Sequence, residues 1–156
     1  MHPNAQRIQD ILTAHGASGP VQELAASTRT AAEAAAALGT AVAQIVKSLV
    51  FMAGGKPVLV IASGINRVSL EKLSRLLGEP VLRADAEAVK RHTGFPIGGV
   101  APVGHVSPLR ILIDRDLFQY PELWAAAGTP NAVFRTSPDE LARVTGGEVA
   151  DLREEE

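Results

Sequence analysis

The spacing of apolar and polar positions divides the chain into short elements. Between Asn4 and His15, Ile8, Ile11 and Leu12 recur at helical spacing and Gly16 supplies a stop. VQELAA, from Val21 to Ala26, reads as a short strand. TAAEAAAALG is an alanine-rich helix in which Thr30 and Glu33 form a capping box and Gly39 ends the run. QIVKSLVFMAGGKPVLVIAS predicts two strands, Ile45–Met52 and Val58–Ser63, joined across Ala53–Pro57. Both are rich in β-branched residues and lean toward burial on both faces. SLEKLSRLLGE is a helix capped by Ser69 and stopped by Gly78, PVLR a brief strand, and DAEAVKRHTG a helix from its cap Asp85 to Gly94. RILID (Arg110–Asp114) is a further strand. ELWAAAG and AVFRTS pair as a hairpin through Gly-Thr-Pro-Asn, against the helical preference of alanine. A last helix opens at Ser137, Pro138 and Glu140 with a second capping box, ends at Gly146-Gly147, and leaves EVADL as a closing strand. Strands and helices interleave, so the expected architecture is a single α/β (α+β) domain over residues 1–156, with a mixed sheet flanked by helices.

Composition narrows the chemistry. With 156 residues, one core can bury most of the apolar surface that unfolding would expose. Lys and Arg number 15 against 17 Asp and Glu, so no global positive field points to a long nucleic-acid footprint. There is no cysteine, which excludes disulfides and thiolate metal sites and fits a reducing compartment. The four histidines, His2, His15, His92 and His105, have no metal-binding spacing, and no metal or cofactor is expected. No signal peptide is expected from MHPNAQRIQD, and no apolar run approaches the roughly 18 residues of a membrane helix. A cytoplasmic protein is the expectation.

Two features stand out against this background. Lys47, in IVKSLVF, shares a pleat face with Ile45, Leu49 and Phe51. An ammonium there needs water, a counter-charge or a ligand; it is either a snorkelling edge lysine or a binder of phosphate or a polarised carbonyl. The second feature is GFPIGGVAPVGH, Gly94–His105, which places Cβ-free backbone at Gly98 and Gly99 ahead of the rigid Pro102. Such backbone approaches ligands closely and can offer N–H groups to a negative oxygen; equally, it can be a structural crossover packed by its own apolar residues. His105 follows the loop as a secondary candidate. Asp114 at a strand end and Asn66-Arg67 in a turn have structural explanations. Lys72, Arg75, Lys90 and Arg91 lie on polar helix faces, as solvated charges or as a phosphate-contacting patch. Ser48 neighbours Lys47 on the opposite face.

STRTAAEAAAALG, IVKSLVF, VLVIASGINRVSLEKLSRLLG and GFPIGGVAPVGH occur in this order at suitable spacing. Together they resemble the bacterial YbaK/EbsC proteins, related to the editing domain inserted in bacterial prolyl-tRNA synthetases, from about residue 20 to residue 150. The resemblance implies a curved mixed sheet and hydrolysis, in trans, of the ester joining a wrong small amino acid to tRNA. The implied enzyme is a metal-independent aminoacyl-tRNA deacylase whose partners are the tRNA acceptor end and a synthetase such as prolyl-tRNA synthetase. The family's lysine maps onto Lys47, the catalytic candidate. Its GxxxP loop maps onto Gly98, Gly99, Val100, Ala101 and Pro102. Gly104, His105, Ser48 and Thr28 complete the candidate substrate-binding set. The serine and aspartate that the family's cysteinyl-tRNA deacylases carry around the late hairpin are replaced here by Ala126 and Val133, and the histidine of the synthetase-inserted domain is absent. The alternative is a non-catalytic module that binds aminoacyl-adenosine, the acceptor end or a nucleotide.

Overall fold

Helix α1 (Pro3–Ala14), strand β1 (Val21–Glu23), helix α2 (Ala31–Leu38), strands β2 (Ile45–Ala53) and β3 (Lys56–Ser63), helix α3 (Leu70–Leu77), strand β4 (Val81–Arg83), helix α4 (Ala86–Thr93), strands β5 (Arg110–Asp114), β6 (Leu123–Ala126) and β7 (Ala132–Thr136), helix α5 (Pro138–Thr145) and strand β8 (Glu148–Ala150) follow one another in the computed structural model, which describes residues 1–155. Two 3-10 turns that the apolar pattern does not announce, Val42–Gln44 and Arg115–Gln119, lead into β2 and out of β5.

Local chemistry sets the helix ends. The side chains of Thr30, Ser69, Asp85 and Ser137 accept hydrogen bonds from the N–H groups of Glu33, Lys72, Ala88 and Glu140, at 3.1, 3.1, 2.8 and 3.2 Å. Gly39, Gly78, Gly94 and Gly146 end those four helices in the left-handed conformation. The expected capping boxes form only in their first half. Glu33 accepts the Thr30 hydroxyl, and Glu140 turns away to accept the Ser18 N–H at 3.0 Å and the Thr136 hydroxyl at 2.6 Å. Tertiary partners thus claim the Glu140 carboxylate that a local box would have held.

The strands form one mixed sheet in the order β1-β7-β6-β2-β3-β5-β8, with β4 also paired to β2. β2/β6, β3/β5 and β5/β8 run parallel; the other pairs are antiparallel. β3 is buried from Val58 to Ser63, as its unbroken apolar run predicts. On one face Val46, Val50, Leu59, Ile61 and Ile113 pack with Ile8 and Leu12 of α1 and with Phe95. On the other, Phe51, Val58, Val60, Ala62 and Leu112 pack with Leu73 of α3.

β2 is shared between two neighbours on its outer edge. Ile45 and Val46 pair with β6, Phe51 to Ala53 pair with β4, and among the described residues those between have no strand on that side. The sheet is therefore notched beside Lys47. No helix among the described residues is long and apolar enough to cross a membrane.

Candidate active site

The notch opens into a cavity of about 360 Å³. Its floor comes from β6 and β7, through Ala125, Ala126 and Val133, with Trp124 beside them. One wall is Thr28–Ala31 and α2; the other is Ile97, Gly98 and Val100 of the glycine–proline loop, with Arg83 at the end of β4 and Ala84 after it. Among the described residues, the wall carries Arg29, Lys47 and Arg83 and no aspartate, glutamate, histidine or cysteine. None of these three cations forms an ion pair among the described residues. Arg83 lies 5.9 Å from the centre of the Phe51 ring.

Lys47 sits where its pleat position predicts, opposite Ala62, with Leu49 and Phe51 on the same face. Burial pushes its ammonium below the ordinary lysine range; Arg83 adds to that and the Asp114 carboxylate opposes it. Asp114 is itself committed to structure, as its strand-end position led one to expect. Its carboxylate accepts the Ser63 N–H at 3.1 Å, the Asn66 amide at 2.8 Å and the Asp116 N–H at 2.9 Å.

The loop's glycines have separate reasons. Pro96–Gly99 is a turn closed by the Gly99 N–H donating to the Pro96 carbonyl at 2.9 Å. Gly98 takes its third position at φ 87°, and a Cβ there would strike the Arg29 side chain. Gly99 lies flat on the Thr129 backbone, where a Cβ would meet the carbonyl carbon at 2.8 Å. The expectation that N–H groups at both Gly98 and Gly99 face a substrate is thereby corrected: the turn itself occupies the Gly99 donor. Behind the turn, Val100, Ala101, Pro102 and Val103 are buried.

Of the sequence-predicted residues, Lys47, Ser48, Thr28, Gly98 and Val100 meet at the cavity. Gly99, Ala101 and Pro102 support it from behind. Gly104 and His105 stand on the loop's far side, in a second, shallower cavity of about 460 Å³ that they share with Pro102, Ile11 and His15. There the His105 ring reaches the Ala101 carbonyl at 2.8 Å. A carbonyl only accepts, so Nε2 carries the hydrogen. The ring also meets Phe95 edge-on at 6.2 Å. Burial lowers its pKa, opposed by the bond to Ala101 and helped by Arg7. His105 is a brace on the loop, away from the cavity. Lys72, Arg75 and Arg91 are paired with carboxylates elsewhere and line neither cavity.

The tip of the β6–β7 hairpin ties these walls together. Pro130 accepts both the N–H and the hydroxyl of the buried Thr28, at 2.7 and 3.1 Å. Asn131 exchanges bonds with Leu24, Gly128 accepts the Asn4 amide at 3.0 Å, and Thr129 underlies Gly99. Sequence reasoning missed Arg29, Arg83 and Trp124 as wall residues. Arg29 carried a local signal, lying beside Thr28 and just ahead of a helix cap.

The model of the aminoacyl-tRNA editing domain matches residues 25–144. The uncharacterized protein YwhH of Bacillus subtilis is 28% identical over 130 residues, 83% of each chain. A proline–tRNA ligase of Nitratidesulfovibrio vulgaris is 37% identical over 89 residues, which are 56% of this chain and 16% of the ligase. Most of that ligase therefore has no counterpart in the match. A crystal structure of a candidate trans-editing enzyme for prolyl-tRNA synthetase is 52% identical and superposes with a TM-score of 0.93 over 99% of both chains.

Proposed function

The chain belongs to the family of aminoacyl-tRNA editing domains, and from that premise we propose that it is a deacylase acting in trans, which hydrolyses the ester between a small mischarged amino acid and the 3′-terminal adenosine of a tRNA. One observation carries the reading: a cavity with an alanine and valine floor lies beneath three cations that have no acidic partner among the described residues. The floor suits a small side chain and the cations suit a terminal phosphate and a developing oxyanion.

In this mechanism Lys47 meets the terminal phosphate or the ester carbonyl and stabilises negative charge as water adds to the carbonyl carbon. The carbon–oxygen bond to the ribose then breaks, and the proton that water loses ends on the departing 3′ oxygen. The wall has no carboxylate or imidazole to carry that proton, so the neighbouring ribose hydroxyl relays it. Gly98 and Val100 form the wall against the ester, Pro102 stiffens the loop and Thr28 closes the opposite side. No step calls for a metal. Pocket size sets specificity, since one methylene is worth only about 1–3 kcal/mol, which is also why charging needs correction. The protein would act in the cytoplasm on the acceptor end of tRNA, alone or beside prolyl-tRNA synthetase.

A panel of tRNAs mischarged with alanine, serine, cysteine and similar residues tests the reading. Release of one or more of these amino acids by the wild-type protein is expected. Binding of the acceptor end without hydrolysis of any member would turn the reading toward a non-catalytic module, which the missing general base would then explain.

A further inference from the structure

The register of β2 determines what lines the notch. Gly54 and Gly55 have φ of 56° and 79°, so Ala53 and Lys56 close a two-residue hairpin. Along an antiparallel pair, hydrogen-bonded and non-bonded positions alternate. Counting back from Ala53, the main-chain groups of Phe51, Leu49 and Lys47 face β3, and those of Val50 and Ser48 face outward. Two observations agree. Pro57, which lacks an N–H, stands opposite Met52 at a non-bonded position. The Val50 carbonyl accepts the Ala84 N–H at 3.2 Å on the outer side. There β6 stops pairing at Val46 and β4 begins at Phe51. Among the described residues, the N–H and C=O of Ser48 are thus left without a strand partner, at the lip of the cavity.

An α-aminoacyl ester carries the complementary pair, an ammonium donor and a carbonyl acceptor separated by one carbon. We propose that the aminoacyl group docks on Ser48 as a one-residue strand, its α-ammonium donating to the Ser48 carbonyl and its ester carbonyl accepting from the Ser48 N–H. The assignment takes its substrate class from the deacylase reading. It answers how a wall without carboxylates receives a cationic ammonium: a main-chain oxygen takes it. It also supplies the fixed N–H on the ester carbonyl that Gly99 cannot. Cross-strand neighbours share a face, so the substrate side chain falls on the side of Val46 and Val50, beside Val89, Val100 and Ala125.

Two hydrolysis-resistant amides of 3′-amino-3′-deoxyadenosine, alanyl and propionyl, differ only in the α-amino group. Calorimetric titration is expected to show the propionyl compound bound about tenfold more weakly, or worse, the size of a charge-assisted hydrogen bond. Ser48→Ala is expected to keep that discrimination, because the contact is to the main chain. Exchanging Ser48 for its α-hydroxy acid, which replaces the N–H by an ester oxygen, is expected to weaken both compounds. Equal affinity for the two amides, no binding of either, or loss of the discrimination in Ser48→Ala overturns the proposal. These compounds are not hydrolysed, so the outcome is separate from the tRNA panel. Discrimination without turnover removes the enzyme and leaves the subsite; turnover without discrimination does the reverse.

Discussion

Lys72, on α3, lies between Asp151 and Glu155 at 3.0 and 2.8 Å, and hydrogen bonds to the two carboxylates hold its ammonium above the ordinary lysine range. Around it the charges close on one another: Arg115 reaches Asp151 and Arg153 reaches Asp116, both at 3.5 Å. Lys47, half-buried, has no carboxylate partner among the described residues, and burial and Arg83 press its ammonium the other way. Where cations are balanced within the fold they belong to its architecture. Where they are left open beside a cavity, their burial is uncompensated within the fold, an arrangement common at functional sites.

The comparison breaks most easily at Lys47. Lys47→Met is expected to lower deacylation about 10²–10³-fold, the usual cost of one oxyanion donor, while Lys72→Met leaves the rate unchanged. Equal losses in steady-state assays of the two variants would erase the contrast. The stability of Lys47→Met should move oppositely to its activity. The native ammonium titrates below the unfolded one, so between those two pKa values the unfolded chain binds more protons and wild-type stability rises with pH. Denaturant titrations across the alkaline range should find that rise missing in Lys47→Met, which is expected to be at least as stable as wild type at pH 7.

Gly98→Ala tests the loop side of the cavity. At φ 87° and against Arg29 it is expected to lose about 1–2 kcal/mol of stability, with activity falling further than stability. Intact activity would mean that the turn's shape does not matter to the substrate. His105→Gln separates bracing from binding. The native imidazole is held below its ordinary pKa, so wild-type stability should decline as pH falls below about 6.5, by at most about 1.4 kcal/mol per pH unit. His105→Gln should lack that slope and stay active at pH 8; loss of its binding to the alanyl amide would put the ring back in contact with substrate. The smallest effect is expected from Lys72→Met, a slight loss of stability in denaturant titration that shrinks further as salt is added, because its carboxylate partners are solvent-exposed.

What the sequence could reveal divides along the same line. Helix limits were legible because caps and left-handed glycines act within four residues, as at Thr30 with Gly39 and Asp85 with Gly94. Lys47 was legible because it breaks an apolar alternation. Arg83 was not, because its place on the wall depends on β4 pairing with β2, a contact that no local pattern encodes. The side of the loop that His105 occupies depended on the path of the chain between Pro102 and α1, and the occupied Gly99 donor on a turn with Pro96.

The β6–β7 hairpin carries a consequence for how such a protein can change. Its strands supply the cavity floor, and its tip holds Thr28 on one wall and Gly99 on the other. On the deacylase reading, a lineage that alters which amino acid is removed, by enlarging or shrinking the residues at 126 or 133, does so on the piece that keeps both walls in place. Selectivity and foldability are then genetically coupled. Substitutions on the floor should show strong epistasis with substitutions at Thr28, Gly99 and Thr129, and directed evolution of selectivity should vary the floor while leaving the tip unchanged.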